Sequence, residues 1–443
     1  MDFSEICDII QHRIIIYYPC ITVVRVGWHM RLEKDLENIR KSLERQAIGF
    51  DDELILNPVE NIPPKEALMP NISFLTGLYN SDKMRDNNAK KNTKIQFSNR
   101  DAIAEDINKI YRIWAEVLNA EKVSIRMFSG LHAHTVIFMA LTKIGDAVLL
   151  LPEEAGGHMA TKSILERLGV RVFEFAIDYD RMQVDVEKTR KIIEHTKPLI
   201  AFFDRSEGLK YEDLTWLSEY NDMYKIFDAS QYLTNILSDD YKSPFDMGFD
   251  AIISTLHKNF PGPQRTLFCT KVDDEMWRSF ESKIGTYVSN MHPYGIYAAG
   301  LMLEKYDELR MLSKLMLANT KKLDEVLSDQ GLDIVKRSTS EAEPLTHHIW
   351  VNFPTKEDAF EFFLKMERLK INVNYRLLPY ELGYGIRMGL SGATVSGLTA
   401  ETVTPLGTII AKAYQGEPLS ALKQEAAECI RHIKQNYFFK SKG

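Results

Sequence analysis

Cysteine is scarce in this chain: Cys7, Cys20, Cys269 and Cys429 stand far apart and show no C-x-x-C spacing. That excludes a disulfide framework and a cysteine-based zinc site, so no metal is expected and a reducing cytoplasm fits best. Charge of one sign is lacking too, since 55 basic and 62 acidic side chains leave a formal net charge of -7. Without a basic face to gather phosphate backbones, nucleic acid is not an expected partner. Long apolar runs are missing as well. The segment Ile14 to Val24 is interrupted by Pro19 and preceded by Asp2, Glu5 and Asp8, where a signal needs a basic region. It reads neither as a targeting signal nor as a membrane span. There is no internal repeat and no low-complexity tract.

What is present is a chain of 443 residues with 45% hydrophobic content, enough to bury a large core. From about residue 100 to 270, short apolar runs alternate with helical patterns, as in parallel strands joined by crossover helices. The strand signals are Ala147 to Leu151, Val170 to Phe175, Leu199 to Asp204, Tyr224 to Asp228, Ala251 to Ser254 and Arg265 to Thr270. Helical periodicity marks Ala102 to Leu118, His132 to Lys143, Thr161 to Leu168, Val186 to His195 and Leu214 to Tyr220. A proline-free stretch from Tyr294 to Ser328 reads as one long helical segment, and the remainder as a small α+β unit. The expected fold class is α/β, a mostly parallel sheet covered by helices, with a smaller C-terminal α+β domain. The expected division is an appendage at 1–29, a helical arm and active-site loop at 30–100, and a large domain at 101–293. A connecting helical segment at 294–331 and a small domain at 332–443 complete it. The arm begins at Met30, where Leu32, Leu36, Ile39 and Leu43 recur at helical spacing.

The sharpest chemical signal is F-D-A-S-Q from Phe227, followed by T-L-H-K-N-F-P-G-P-Q-R from Thr255 to Arg265. An acid ends one strand pattern and a lysine follows another, so in an open α/β sheet both would face the crevice at the carboxyl ends of the strands. A carboxylate can keep a pyridine nitrogen protonated and a lysine amine can condense with an aldehyde, which are the parts that pyridoxal 5'-phosphate needs. Each residue has a plainer reading. Lys258 and Arg387 alone could be surface charges, Asp228 a capping acid, Ser129 a helix N-cap, His158 a packing histidine and Tyr79 a loop aromatic.

The T-x-H-K-x-x-x-G-P-x-R pattern resembles the cofactor-lysine segment of the serine hydroxymethyltransferase family. Ser129-Gly130, Gly156-Gly157-His158 and Gly385-Ile386-Arg387-Met388-Gly389 resemble three further segments of that family, in the same order. The resemblance implies fold type I of the pyridoxal-phosphate enzymes, with Lys258 as the Schiff-base lysine and Asp228 as partner of the pyridine nitrogen. It further implies that His158 stacks on the ring and that Ser129 and Gly130 hold the phosphate at a helix start. Arg387 would bind the substrate carboxylate through its planar fork. His257 would lie near the phosphate or substrate, and Tyr79 would reach the partner's site in a homodimer with shared active sites.

The departures fall on substrate chemistry. Gln231 stands where the family has a histidine, and Val59-Glu60-Asn61-Ile62 replaces S-E-N-Y. Tyr79 is followed by Asn80 and Ser81 without the family's glutamate, Gln96-Phe97 replaces a double tyrosine, and Leu131 replaces a serine. A related group, the threonine transaldolases, shares the P-G-P-Q written here as Pro261 to Gln264. The expected reaction is therefore aldol-type chemistry at the α-carbon of glycine, serine or threonine with an aldehyde partner, without folate. His257, His158 and Glu60 are the candidate bases. The alternatives are a folate-dependent hydroxymethyltransferase, a racemase or aminotransferase, and a catalytically silent relative.

Overall fold

The computed structural model describes residues 34–42, 52–81, 86–335 and 345–439. It falls into two units, Met1–Glu53 and Leu54–Gly443. In the first, residues 34–42 contain a helical turn series in which Leu36 and Ile39 are exposed; Met30, Leu32 and Leu43 lie outside the described residues. The second unit carries the seven-stranded and three-stranded sheets and the candidate site residues.

Its main sheet has seven strands: β1 Lys122–Met127, β2 Ala147–Leu150, β3 Arg171–Glu174, β4 Ile200–Phe203, β5 Tyr224–Asp228, β6 Ala251–Thr255 and β7 Thr266–Thr270. Their spatial order is β1-β7-β6-β5-β4-β2-β3. The central strands read as unbroken apolar runs because both faces are covered, and all five residues of β6 and of β7 are buried. Apolar side chains gather on both faces, one cluster built around Ile252, Phe227 and Trp114 and another around Ile253, Ile226 and Phe138. The alternation of Ile252 and Ile253 between clusters is the period-two rule of a strand.

One strand departs from the parallel pattern that the alternation predicts. β7 runs antiparallel to both β6 and β1. The chain turns back at the edge of β6 through a loop closed by Leu256 N–H donating to Arg265 O at 2.8 Å. Pro261, Gly262 and Pro263 lie in that loop, and Gly262 N–H donates to Leu256 O at 2.7 Å. Two prolines and a glycine favour such a tight reversal. β1 was not legible from apolar runs, because Lys122, Ser124 and Arg126 alternate with Val123, Ile125 and Met127.

The stretch expected as one long helix is two, Pro293–Leu301 and Tyr306–Asp329, joined by a 3-10 turn at Met302–Lys305. Leu214 to Tyr220 forms only a 3-10 turn, Thr215–Glu219. A second sheet comprises β8 His348–Asn352, β9 Asn374–Leu378 and β10 Gly383–Gly389 in the order β8-β10-β9, all antiparallel. No helix among the described residues is long and apolar enough to cross a membrane.

Helix α1, Asp101–Leu118, is fixed through Trp114, which is fully buried, donates from Nε1 to Ala299 O at 3.2 Å and packs on Phe260 with ring centroids 5.5 Å apart. Replacing Trp114 with alanine removes a large core side chain and its hydrogen bond at once. Trp114→Ala should lower stability by roughly 3–5 kcal/mol, read as a shift of the urea midpoint with an unchanged slope.

Candidate active site

Five connections meet at one edge of the main sheet. β1 leads into Ser129, the N-cap of α2 (Gly130–Leu141), whose hydroxyl accepts from His132 N–H at 3.2 Å. β2 leads into the Gly156-Gly157-His158 turn, β4 into Asp204, β5 ends at Asp228, and β6 leads into His257 and Lys258. This is the carboxyl edge, where open α/β sheets bind ligands.

The lysine loop is held from three sides. Asn61 Nδ2 donates to Lys258 O at 2.6 Å. Asn259 Oδ1 accepts from Thr234 N–H at 2.7 Å, and Thr234 Oγ1 donates to Asn259 O at 2.9 Å. Asn259 Nδ2 also donates to Asn235 Oδ1 at 3.0 Å. Lys258 is half-buried, and burial pushes its amine below the ordinary lysine range; Asp228 opposes the shift and Arg387 adds to it. Those influences place Asp228 and Arg387 within electrostatic reach of the amine.

Asp228 is buried and accepts Ser230 N–H at 2.8 Å. Burial pushes its carboxyl up, but the bond to His134 Nε2 at 2.8 Å and the nearby Lys258 outweigh it and hold it below the usual carboxylate range. His158 is half-buried, and its ring lies edge-on to His134 with centroids 5.4 Å apart. Burial first, then His134 and Lys258, push it down to about 4. Gly156 has φ of 87°, and a Cβ there would meet Glu207 O at 2.0 Å, so the turn that presents His158 needs glycine.

Arg387 lies on β10, the middle strand of the small sheet, opposite Trp350 and Asn374. Its Nε donates to Asn374 Oδ1 at 3.1 Å and its Nη1 lies 3.5 Å from Glu207 Oε2. Glu207 also pairs with Arg376. Burial lowers Arg387 to about 10, with Glu207 opposing. Gln231 is buried, with Oε1 3.3 Å from His348 Nε2 on β8, while its Nε2 has no partner among the described residues.

A cavity of about 530 Å³ opens beside the lysine loop, walled by Glu60, Asn61, Phe128, His257, Arg265 and Tyr294 among others. Glu60 is exposed there, and His257 is pushed down to about 4 by burial and then by Lys258. Tyr79 is not brought to this group within the chain. It is exposed and packs on Phe97 with centroids 4.9 Å apart. Sequence reasoning missed His134, Thr161, Asp204, Glu207 and Arg376. His134 lies in the middle of a helix and Glu207 in a loop, so only the fold shows that they meet Asp228 and Arg387.

Several observations fit pyridoxal phosphate. Among the described residues, Thr255 Oγ1 and His257 Nδ1 are buried without partners, and Thr255 lies beside the start of α2, where a Cβ on Gly130 would meet its Cγ2 at 3.0 Å. A helix N-terminus flanked by unpaired polar atoms suits a phosphate. Asp228 and Lys258 supply the carboxylate and the amine. Fold and site together define a pyridoxal-phosphate enzyme of fold type I, a transferase or lyase. The sequence profile described as serine hydroxymethyltransferase matches residues 65–410, and the chain belongs to that family. It is 25% identical over 349 residues to the serine hydroxymethyltransferase of Pyrobaculum arsenaticum, covering 76% of this chain and 80% of that one. Against the enzyme of the same name from Pyrobaculum calidifontis it is 26% identical over 343 residues, covering 74% and 79%. Among solved structures, the L-threonine transaldolase from Pseudomonas fluorescens in its internal aldimine state superposes with a TM-score of 0.82 at 19% identity, covering 92% of this chain and 94% of that one.

His347 is fully buried and pushed down to about 3 by burial, then by Arg387. Its folded value lies below the ordinary 6.5, so between these pH values the unfolded chain binds more protons and stability falls as pH falls. His347→Asn should therefore lose less stability than the parent when the pH is taken from 6.5 toward 3. Thermal midpoints of both proteins across that range are the measurement.

Proposed function

We propose that the enzyme makes or cleaves a β-hydroxy-α-amino acid by aldol-type chemistry at the α-carbon of glycine, serine or threonine, without folate. The supporting observation is that Asp228, with Lys258 at the carboxyl edge of the main sheet, and Arg387, on the small sheet, both lie within electrostatic reach of the lysine, while the position two residues beyond Tyr79 carries Ser81 in place of an acid. Asn80 between them is buried and serves structure: its N–H donates to Asn290 Oδ1 at 2.9 Å and its carbonyl accepts Met291 N–H at 2.7 Å.

Bound pyridoxal phosphate supplies an electron sink conjugated to the substrate α-carbon. In this reading Lys258 attaches the cofactor, Asp228 keeps its ring nitrogen protonated, and His158 and Gln231 pack about it. Ser129 and Gly130 hold the phosphate. Arg387 takes the substrate carboxylate, displacing Glu207 from its guanidinium. A lysine shifted below its ordinary range has a larger neutral fraction and can accept an α-proton. His158 and His257, at about 4, are neutral at neutral pH and can accept the β-hydroxyl proton, with Glu60 the third candidate. The reading includes a cytoplasmic homodimer in which Tyr79 serves the partner's site.

Borohydride reduction followed by peptide mapping should place the covalent label on Lys258, and Lys258→Ala should lose it while remaining folded; a label on another lysine would exclude the assignment. Arg387→Lys should weaken amino-acid binding by roughly 1.5–3 kcal/mol with cofactor retained, because a two-pronged contact becomes a point charge. The reaction itself is tested by loss of the glycine α-proton signal in heavy water and by aldehyde release from threonine and allo-threonine, with and without tetrahydrofolate. Strict dependence on tetrahydrofolate with serine would favour the ordinary hydroxymethyltransferase reaction that the relatives' names carry.

A further inference from the structure

Behind Asp228 runs an unbroken buried chain of polar side chains. Asp228 Oδ2 lies 2.8 Å from His134 Nε2, His134 Nδ1 lies 3.0 Å from Thr161 Oγ1, and Thr161 Oγ1 lies 3.0 Å from Asp204 Oδ2. All four residues are buried. They come from separate segments: His134 from α2, Thr161 from the first turn of α3 (Thr161–Arg167), Asp204 from just beyond β4 and Asp228 from the end of β5. The His134 ring is flanked edge-on by Phe202 and His158, with centroids 4.9 and 5.4 Å away.

Thr161 has one hydroxyl proton and two neighbours that could receive it. If the hydroxyl donates to His134 Nδ1, Asp204 must be protonated and donate to Thr161 Oγ1. His134 is then neutral and gives its Nε2 proton to the Asp228 carboxylate. If the hydroxyl instead donates to Asp204, that group is a carboxylate, and His134 carries protons on both nitrogens. The two arrangements have the same net charge. One converts to the other when the Asp204 proton passes to Thr161 Oγ1 while the Thr161 proton passes to His134 Nδ1. Burial, and then the charge of Asp228, push Asp204 well above the usual carboxylate range, which favours the first arrangement, while the Thr161 hydroxyl opposes that shift and favours the second.

We propose that Asp204, Thr161 and His134 form a proton chain whose state sets the charge beside Asp228, and through it how firmly Asp228 holds the cofactor's ring nitrogen. This rests on the assignment of Asp228 made above. The three are positioning residues, since none of them touches the reacting atoms. Among the described residues, the other ionisable groups facing the chain include His158, pushed down by burial, and Lys258, which acts on both His158 and Asp228 and feels Asp204.

The test uses holoenzyme with nitrogen-15 histidine, the His134 signals being those lost in His134→Asn. In the parent, the His134 Nδ1 signal should move toward its protonated position as the cofactor's visible absorbance titrates. Asp204→Asn, whose amide can still donate to Thr161 but has no proton to give up, should freeze Nδ1 in its unprotonated position. Thr161→Val should shift the cofactor's visible titration as Asp204→Asn does, the double variant should shift it no further, and Thr161→Ser should restore the parent behaviour. Turnover in the two broken-chain variants should fall roughly tenfold to a hundredfold, the worth of a charge-assisted hydrogen bond, with KM little changed. Identical behaviour of Thr161→Ser and Thr161→Val, or an Nδ1 signal indifferent to Asp204→Asn, would overturn the proposal, and the threonine pair decides it even if Asp204→Asn fails to fold. The histidine signals are read whether or not threonine is cleaved, so an error in the assigned reaction leaves them intact. A wrong role for Asp228 shows separately, as an Asp228→Asn variant with an unchanged cofactor spectrum.

Discussion

Burial of a lysine amine within reach of a carboxylate is the constraint on which the rest of this structure depends. Removing an ammonium from water is costly, and an isolated one would neutralise instead. Here the cost is offset in part by Asp228 on the neighbouring strand, and the loop is held by Asn61 on Lys258 O and by Thr234 on Asn259. The direction of the lysine shift shows that the compensation is incomplete: desolvation still dominates. That imbalance is chemically useful, because it keeps a nucleophilic amine where a fully paired lysine would be inert.

A similar balance holds at the other end of the site. Arg387 is buried on the central strand of the small sheet, and Glu207 stands against it as an internal carboxylate. Glu207 is itself shared with Arg376 and pushed up by burial. Under the proposed role of Arg387, a substrate carboxylate would take over a contact for which the protein already holds a substitute, so the guanidinium would not be stranded without an anion.

Much of this was legible in the sequence because it is carried by short contiguous segments. Tyr224–Asp228 is both a strand and the carrier of its terminal acid, and the lysine segment announces itself through Pro261, Gly262 and Pro263. Other features were hidden for physical reasons. The reversal of β7 depends on a loop of only ten residues, 256–265, between β6 and β7, too short for a crossover helix, which apolar runs alone do not register. The long helical stretch was divided because Met302–Lys305 tightens into a 3-10 turn without any proline to mark it. His134, Thr161 and Asp204 are separated by 27 and 43 residues. Only the packing of α2, α3 and the segment after β4 makes them neighbours, and no local pattern encodes that.

The hairpin bearing Lys258 has both feet in one sheet: Thr255 pairs with Thr266 directly across its mouth. A loop anchored in this way has little configurational freedom left to lose when its amine meets a partner, because closing the loop was already part of folding. It also has no slack in length. Adding or removing a single residue between Leu256 and Arg265 would break the Leu256–Arg265 closure or turn the lysine toward the wrong face. Evolution can therefore vary the identity of side chains around this loop far more readily than it can vary their number.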